Sequence, residues 1–96
     1  MSERYRNIEQ LAASVLATLV RDIDAYNSWI SADPETRPTS KSYVDRVKNS
    51  GIDALYCLYE QSEMVIHWCH LCRINITALR EQIKYKYPSV CGAYAL

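Results

Sequence analysis

Helix breakers are nearly absent from this chain, and their placement limits what it can fold into. Its 96 residues hold two glycines and three prolines, and the prolines fall in two places only, Pro34 with Pro38 and then Pro88. Proline removes a backbone donor and clashes with the preceding turn, so the stretches between these points are the ones free to be helical throughout. Their apolar spacing is helical. Ile8, Ala12, Val15, Leu19, Ile23, Tyr26 and Ile30 recur every three or four residues, flanked by Leu11, Leu16 and Val20. This predicts a helix over residues 3–31 with a broad buried face. Asp33-Pro34-Glu35-Thr36-Arg37-Pro38-Thr39 combines two prolines with polar turn formers, each proline turning its predecessor away from helical backbone, and reads as a mobile loop at 32–39.

After the loop, Thr39 or Ser40 can cap a short helix at 40–49 carrying Tyr43, Val44 and Val47, which Asn49-Ser50-Gly51 would end. Ser50 with Asp53 three residues on then has the form of a capping box opening a long helix at 51–86. That helix would have about 35 residues and a length of roughly 50 Å. Leu55, Leu58, Ser62, Val65, Cys69, Cys72, Ile76, Leu79 and Ile83 alternate along it in steps of three and four. Such spacing implies a coiled-coil-like seam. Helix 3–31 would span only roughly 43 Å, so a second copy of the chain could cover the remainder as a homodimer. The tail at 87–96 is apolar and has no periodic signal. The expected fold is therefore all-α, a helical hairpin or small bundle of two long helices and one short one, in a single domain over 1–96.

Eleven basic and eleven acidic side chains cancel, which removes any global electrostatic argument for nucleic acid or an anionic membrane. The amino-terminal residues carry charges of both signs, and the apolar run Leu11 to Val20 is too short to cross a bilayer. No membrane association and a cytoplasmic, reducing compartment are expected, in which Cys57, Cys69, Cys72 and Cys91 are thiols.

His67-Trp68-Cys69-His70-Leu71-Cys72 holds the ligand types of a zinc site. At 100° per residue the histidines fall on one side of a helix and the cysteines on the other, so the four cannot converge on one ion. Core packing is the preferred role of Cys69 and Cys72, and no metal or cofactor is expected. A zinc- or redox-linked centre shared across a dimer is the remaining alternative for this pair. No phosphate loop, nucleophile elbow or metalloprotease motif occurs, so an enzyme is not expected.

Nucleic-acid binding has two possible seats. A helix-turn-helix over 43–62, with Gly51 at its turn, fits poorly because Asp53 would open the second helix. Arg73, Arg80, Lys84 and Lys86, interleaved with Tyr85 and Tyr87, make a better basic and aromatic patch. Charge along 51–86 is polarised, with Asp53, Glu60 and Glu63 early and the basic residues late, which suits either the helix dipole or a docking surface. Eight tyrosines and two tryptophans, with no phenylalanine, give every large ring a polar edge. Such rings, with arginine, are the residues most enriched at binding hot spots. The preferred expectation is a non-catalytic helical interaction module, an adaptor, regulator or inhibitor that occupies a partner protein through Tyr56, Tyr59, Trp68, Arg73, Arg80, Lys84, Tyr85 and Tyr87.

Overall fold

A computed structural model of the protein describes the backbone of residues 2–60 and 63–94 and the side chains from Ile8 onward. The fold is all-α, a small helical bundle of five helices among the described residues: α1 (Ser2–Ser31), α2 (Lys41–Tyr59), α3 (Glu63–Leu71), α4 (Ile76–Lys86) and α5 (Pro88–Ala93). No helix among them is long and apolar enough to cross a membrane.

α1 is the spine. It packs along α2, then α3, and meets α5 near its carboxyl end. Gly51 of α2 abuts Tyr26, whereas Cys72, just past α3, donates its thiol to the Glu9 carbonyl at 3.8 Å. The two contacts run in opposite senses along the chain, so α2 and α3 lie end to end and antiparallel to α1. α4 and α5 then return along one side of this pair. Asn27 accepts the Val90 amide at 3.1 Å, and Ser31 bonds Ser89 at 2.9 Å. The core runs through the contact, with Ile23, Leu55, Leu58, Val65, Val90 and Cys69 as its largest fully buried side chains.

The predicted helix at 51–86 is not continuous. Its start is displaced because α2 passes straight through Asn49-Ser50-Gly51, so neither a stop at Gly51 nor a capping box at Ser50 exists, and the helix-turn-helix reading loses its turn. Gly51 serves close packing instead: a Cβ there would stand 2.6 Å from Tyr26 Cβ and Cδ2. Further on, α2 ends at Tyr59, with the Glu60 amide closing on the Tyr56 carbonyl at 2.9 Å.

The second break lies at residues 72–75. Arg73 adopts left-handed backbone, φ 57°. Its amide bonds the His70 carbonyl at 3.1 Å while the Ile74 amide reaches back to Cys69 at 2.8 Å, which is the Schellman closure of a helix end. Two residues later Asn75 opens α4 by accepting from the Thr77 and Ala78 amides at 2.9 and 3.1 Å. Breaking the rod lets α4 fold back over the core, whereas one straight helix would leave that side bare.

The seam survives the breaks. Leu55, Leu58, Val65, Cys69 and Ile83 are buried and Cys72, Ile76 and Leu79 pack against them, while Ser62 lies outside the described residues. α3 and α4 each carry a dipole complement, Glu63 in the first turn of α3 and Lys84 with Lys86 in the last turn of α4. The tail also departs from its aperiodic reading. Pro88 takes the first position of α5, where its missing donor costs nothing, and Val90 and Cys91 are buried.

The loop at 32–39 is tied down at several points. α1 has no basic residue in its last turn. Arg37 supplies the charge from the loop, donating to the Trp29 and Ile30 carbonyls at 3.3 and 3.5 Å while its guanidinium lies 3.9 Å from the centre of the Trp29 ring. Trp29 Nε1 in turn donates to the Pro38 carbonyl at 2.8 Å.

Candidate interaction surface

The eight residues expected to meet a partner divide into two groups. Tyr59, Arg80 and Tyr87 are drawn into the fold. Arg80 Nε donates to the Leu58 carbonyl at 2.6 Å, so the guanidinium caps the carboxyl end of α2. Tyr59 Oη donates to the Arg80 carbonyl at 2.6 Å, completing a clasp between α2 and α4. Burial pushes the Tyr59 phenol up to about 12. Arg80 Nη2 is buried and has no hydrogen-bond partner among the described residues, so its desolvation is uncompensated there. Tyr87, 8% exposed, belongs to the core. Tyr56, Arg73, Lys84 and Tyr85 are exposed, and Tyr85 at 89% is almost free of the protein. They do not form one patch with Trp68, which is half-buried on α3 and packed against the core.

The cysteines and histidines separate by face. His67 and His70 are exposed on α3, while Cys69 is buried and Cys72 is turned toward α1. Burial raises the Cys69 thiol pKa, with neighbouring Cys72 adding to the effect, and burial likewise raises Cys91. Among the described residues no three His, Cys, Asp or Glu side chains are grouped as metal ligands.

The surface that sequence reasoning missed lies on the side of the bundle away from α4 and α5. The molecule measures 53 × 24 × 18 Å between its Cα extremes, and among the described residues no helix covers the side of the α1 and α2–α3 pair away from α4 and α5. On α1 that side is fixed by two observations. Asn27 and Ser31 face α5, whereas Asp22, five residues and so about 140° from Asn27, lines a cleft with Ala25, Tyr43 and Arg46. Stepping back from Ala25 and Asp22 by threes and fours gives Thr18, Val15, Leu11 and Ile8. Leu11 is 65% exposed and Ile8 46%.

α3 contributes the opposite wall. Val65 and Cys69 point inward, and Ile66 and His70 border the start of α4 in a groove with Ile74 and Ile76. Met64, Trp68 and Leu71 therefore occupy the other flank, beside the Ile8, Leu11 and Val15 stripe. Met64 is 60% exposed. The sequence signalled this only in part, since Leu11 flanks the central stripe of α1 while Ile8 and Val15 lie on it, and only the position of α4 and α5 shows which flank stays open. Comparison with protein families, with curated proteins and with solved structures finds no match to this chain.

Proposed function

We propose that the chain is a non-catalytic helical interaction module, an adaptor, regulator or inhibitor that works by occupying a partner protein's surface. The observation that carries this reading is the open flank of α1 and α3, where Leu11 and Met64 are 65% and 60% exposed beside half-buried Val15, Trp68 and Leu71. Large apolar side chains gathered on one rimmed surface lose free energy to water until something covers them. Trp68 supplies a rigid aromatic anchor of the kind that dominates binding energy. A photo-reactive amino acid placed at position 11 or 64 is expected to cross-link one protein in extract from the source cells, and the same group at exposed Asp24 is not. Leu11→Glu should abolish the Met64-directed cross-link while leaving the helical circular dichroism unchanged. Equal cross-linking from all three positions would refute the reading.

A second reading rests on Tyr85, 89% exposed between Lys84 and Lys86 on α4. An exposed ring flanked by cations is a stacking platform for single-stranded nucleic acid. Binding of an oligonucleotide that weakens steeply with salt and is lost in Tyr85→Ala would favour it, and absence of binding at low salt would dismiss it.

A further inference from the structure

The open flank does not end with its apolar residues. The α1 stripe continues through Thr18 to Asp22 and Ala25, where a cleft of about 310 Å³ is lined by Arg21, Arg46 and Tyr43. The Arg46 guanidinium lies 5.6 Å from the centre of the Tyr43 ring. Along α1 this flank runs from Ile8 to Ala25, about 25 Å or the length of a helix of about 17 residues, with Met64, Trp68 and Leu71 of α3 beside its apolar end and Tyr43 and Arg46 of α2 beside the other. It is apolar at one end and carries two arginines against one aspartate at the other.

Resting on the proposed interaction role, we infer that the occupant of this flank is one amphipathic α-helix of another protein, apolar where it meets Leu11 and Met64 and acidic where it meets Arg21 and Arg46. Side chains at three-four spacing along α1, bordered by α3 at one end and by α2 at the other, are what a single helix packs against. A second copy of this chain fits less well. Full antiparallel overlap of two such faces would set each apolar end against the other's arginines. Overlap of the apolar ends alone would involve about two turns of each helix, short of the roughly 800 Å² per partner that a stable interface buries. Charge complementarity at the Arg21 and Arg46 end favours an acidic partner and fixes its direction along the flank.

Synthetic 18-residue helices test this directly. Two would carry a leucine stripe in one half and glutamates in the other, with the acidic half amino-terminal in one and carboxyl-terminal in the other, and two controls would carry lysine in place of glutamate. Titrated into the full chain and read by calorimetry and by amide chemical shifts, one acidic peptide is expected to bind along residues 8–25. Its lysine control should bind about tenfold more weakly, a difference of about 1.4 kcal/mol. The Arg21→Glu, Arg46→Glu double variant should reverse that preference, and Leu11→Glu should abolish binding of both. Equal binding of acidic and basic peptides, shifts elsewhere on the surface, or no binding at all would overturn the inference. So would sedimentation of the chain as a dimer that Leu11→Glu dissociates, which would give the flank to a second copy. If the peptides fail while cross-linking from positions 11 and 64 persists, only the acidic helix is wrong; if both fail, the interaction role falls with it.

Discussion

Gly51→Ala probes the closest approach in the fold. A Cβ at position 51 would stand 2.6 Å from Tyr26 Cβ, 2.6 Å from Cδ2 and 2.9 Å from Cγ, where carbons in contact rest at about 3.5–4.0 Å. Roughly 1 Å must open. The nearest atom is the stem of Tyr26, fixed to the α1 backbone, so no rotamer change relieves the clash and the helices themselves must part. Overpacking of a tight core costs about 1–3 kcal/mol, and a clash with a Cβ that cannot rotate away belongs at the upper end. Alanine returns about 1 kcal/mol through its better helix propensity. The net expectation is a loss of about 1–2 kcal/mol, which lowers the melting temperature of a chain this size by about 5–15 °C. Thermal and urea denaturation followed by circular dichroism measure it, with Ser and Val at the same position expected to cost progressively more. A rise in melting temperature for Gly51→Ala would mean that propensity alone governs the site and that α1 and α2 do not touch there.

Arg73→Gly should act in the opposite direction, gaining about 1 kcal/mol because a left-handed residue with a Cβ is strained and the Arg73 side chain is exposed; an unchanged urea midpoint would count against a Schellman end to α3. Asn75→Ala should lose about 1 kcal/mol with the α4 cap, and Asn75→Asp should retain it, since a carboxylate accepts the same amides. The Tyr59 phenol, raised to about 12 by burial, gives a stability contribution that is complete below about pH 10, the unfolded value, and is lost as pH climbs toward 12. Tyr59→Phe should remove that alkaline limb from the stability profile, and identical profiles would refute it. Thiol labelling of the native protein should modify half-buried Cys57 and Cys72 before Cys69 and Cys91, whose thiols are buried and raised in pKa; mass mapping after brief alkylation reads the order.

Periodicity carried the helical class because every buried stripe here repeats in threes and fours, and that arithmetic needs no knowledge of neighbours. The same arithmetic hid the end of α2 at Tyr59 and the break at 72–75. α2 and α3 keep the seam in phase because both lie against α1, and Ile76, Leu79 and Ile83 of α4 carry the same spacing on against α2 and α5, so Leu55 to Ile83 read as one rod. Arg73 gave no warning because its left-handed backbone is imposed by the closure around it rather than announced by glycine. Asn75 was legible: asparagine before Ile76-Thr77 is a good amino-terminal cap. Gly51 misled in the other direction, since a glycine that admits a neighbouring ring looks the same in sequence as one that ends a helix. The site was less legible than the fold. Tyr59, Arg80 and Tyr87 have polar ends that suit a binding surface or an internal clasp equally, and only the return of α4 decides between them. The open flank is likewise a property of which side α4 and α5 take, and no residue on α1 encodes that alone.

That return has a consequence for how the molecule assembles. α5 has six residues, far below the length at which a helix holds in water by itself, and it is anchored to α1 through Asn27 and Ser31, about sixty positions earlier in the chain. Its helical state therefore depends on docking against α1 and α4. α5 is thus clasped to the carboxyl end of α1, and amide protection at Val90 and Cys91 reports that docking, a local opening that precedes loss of the rest of the bundle.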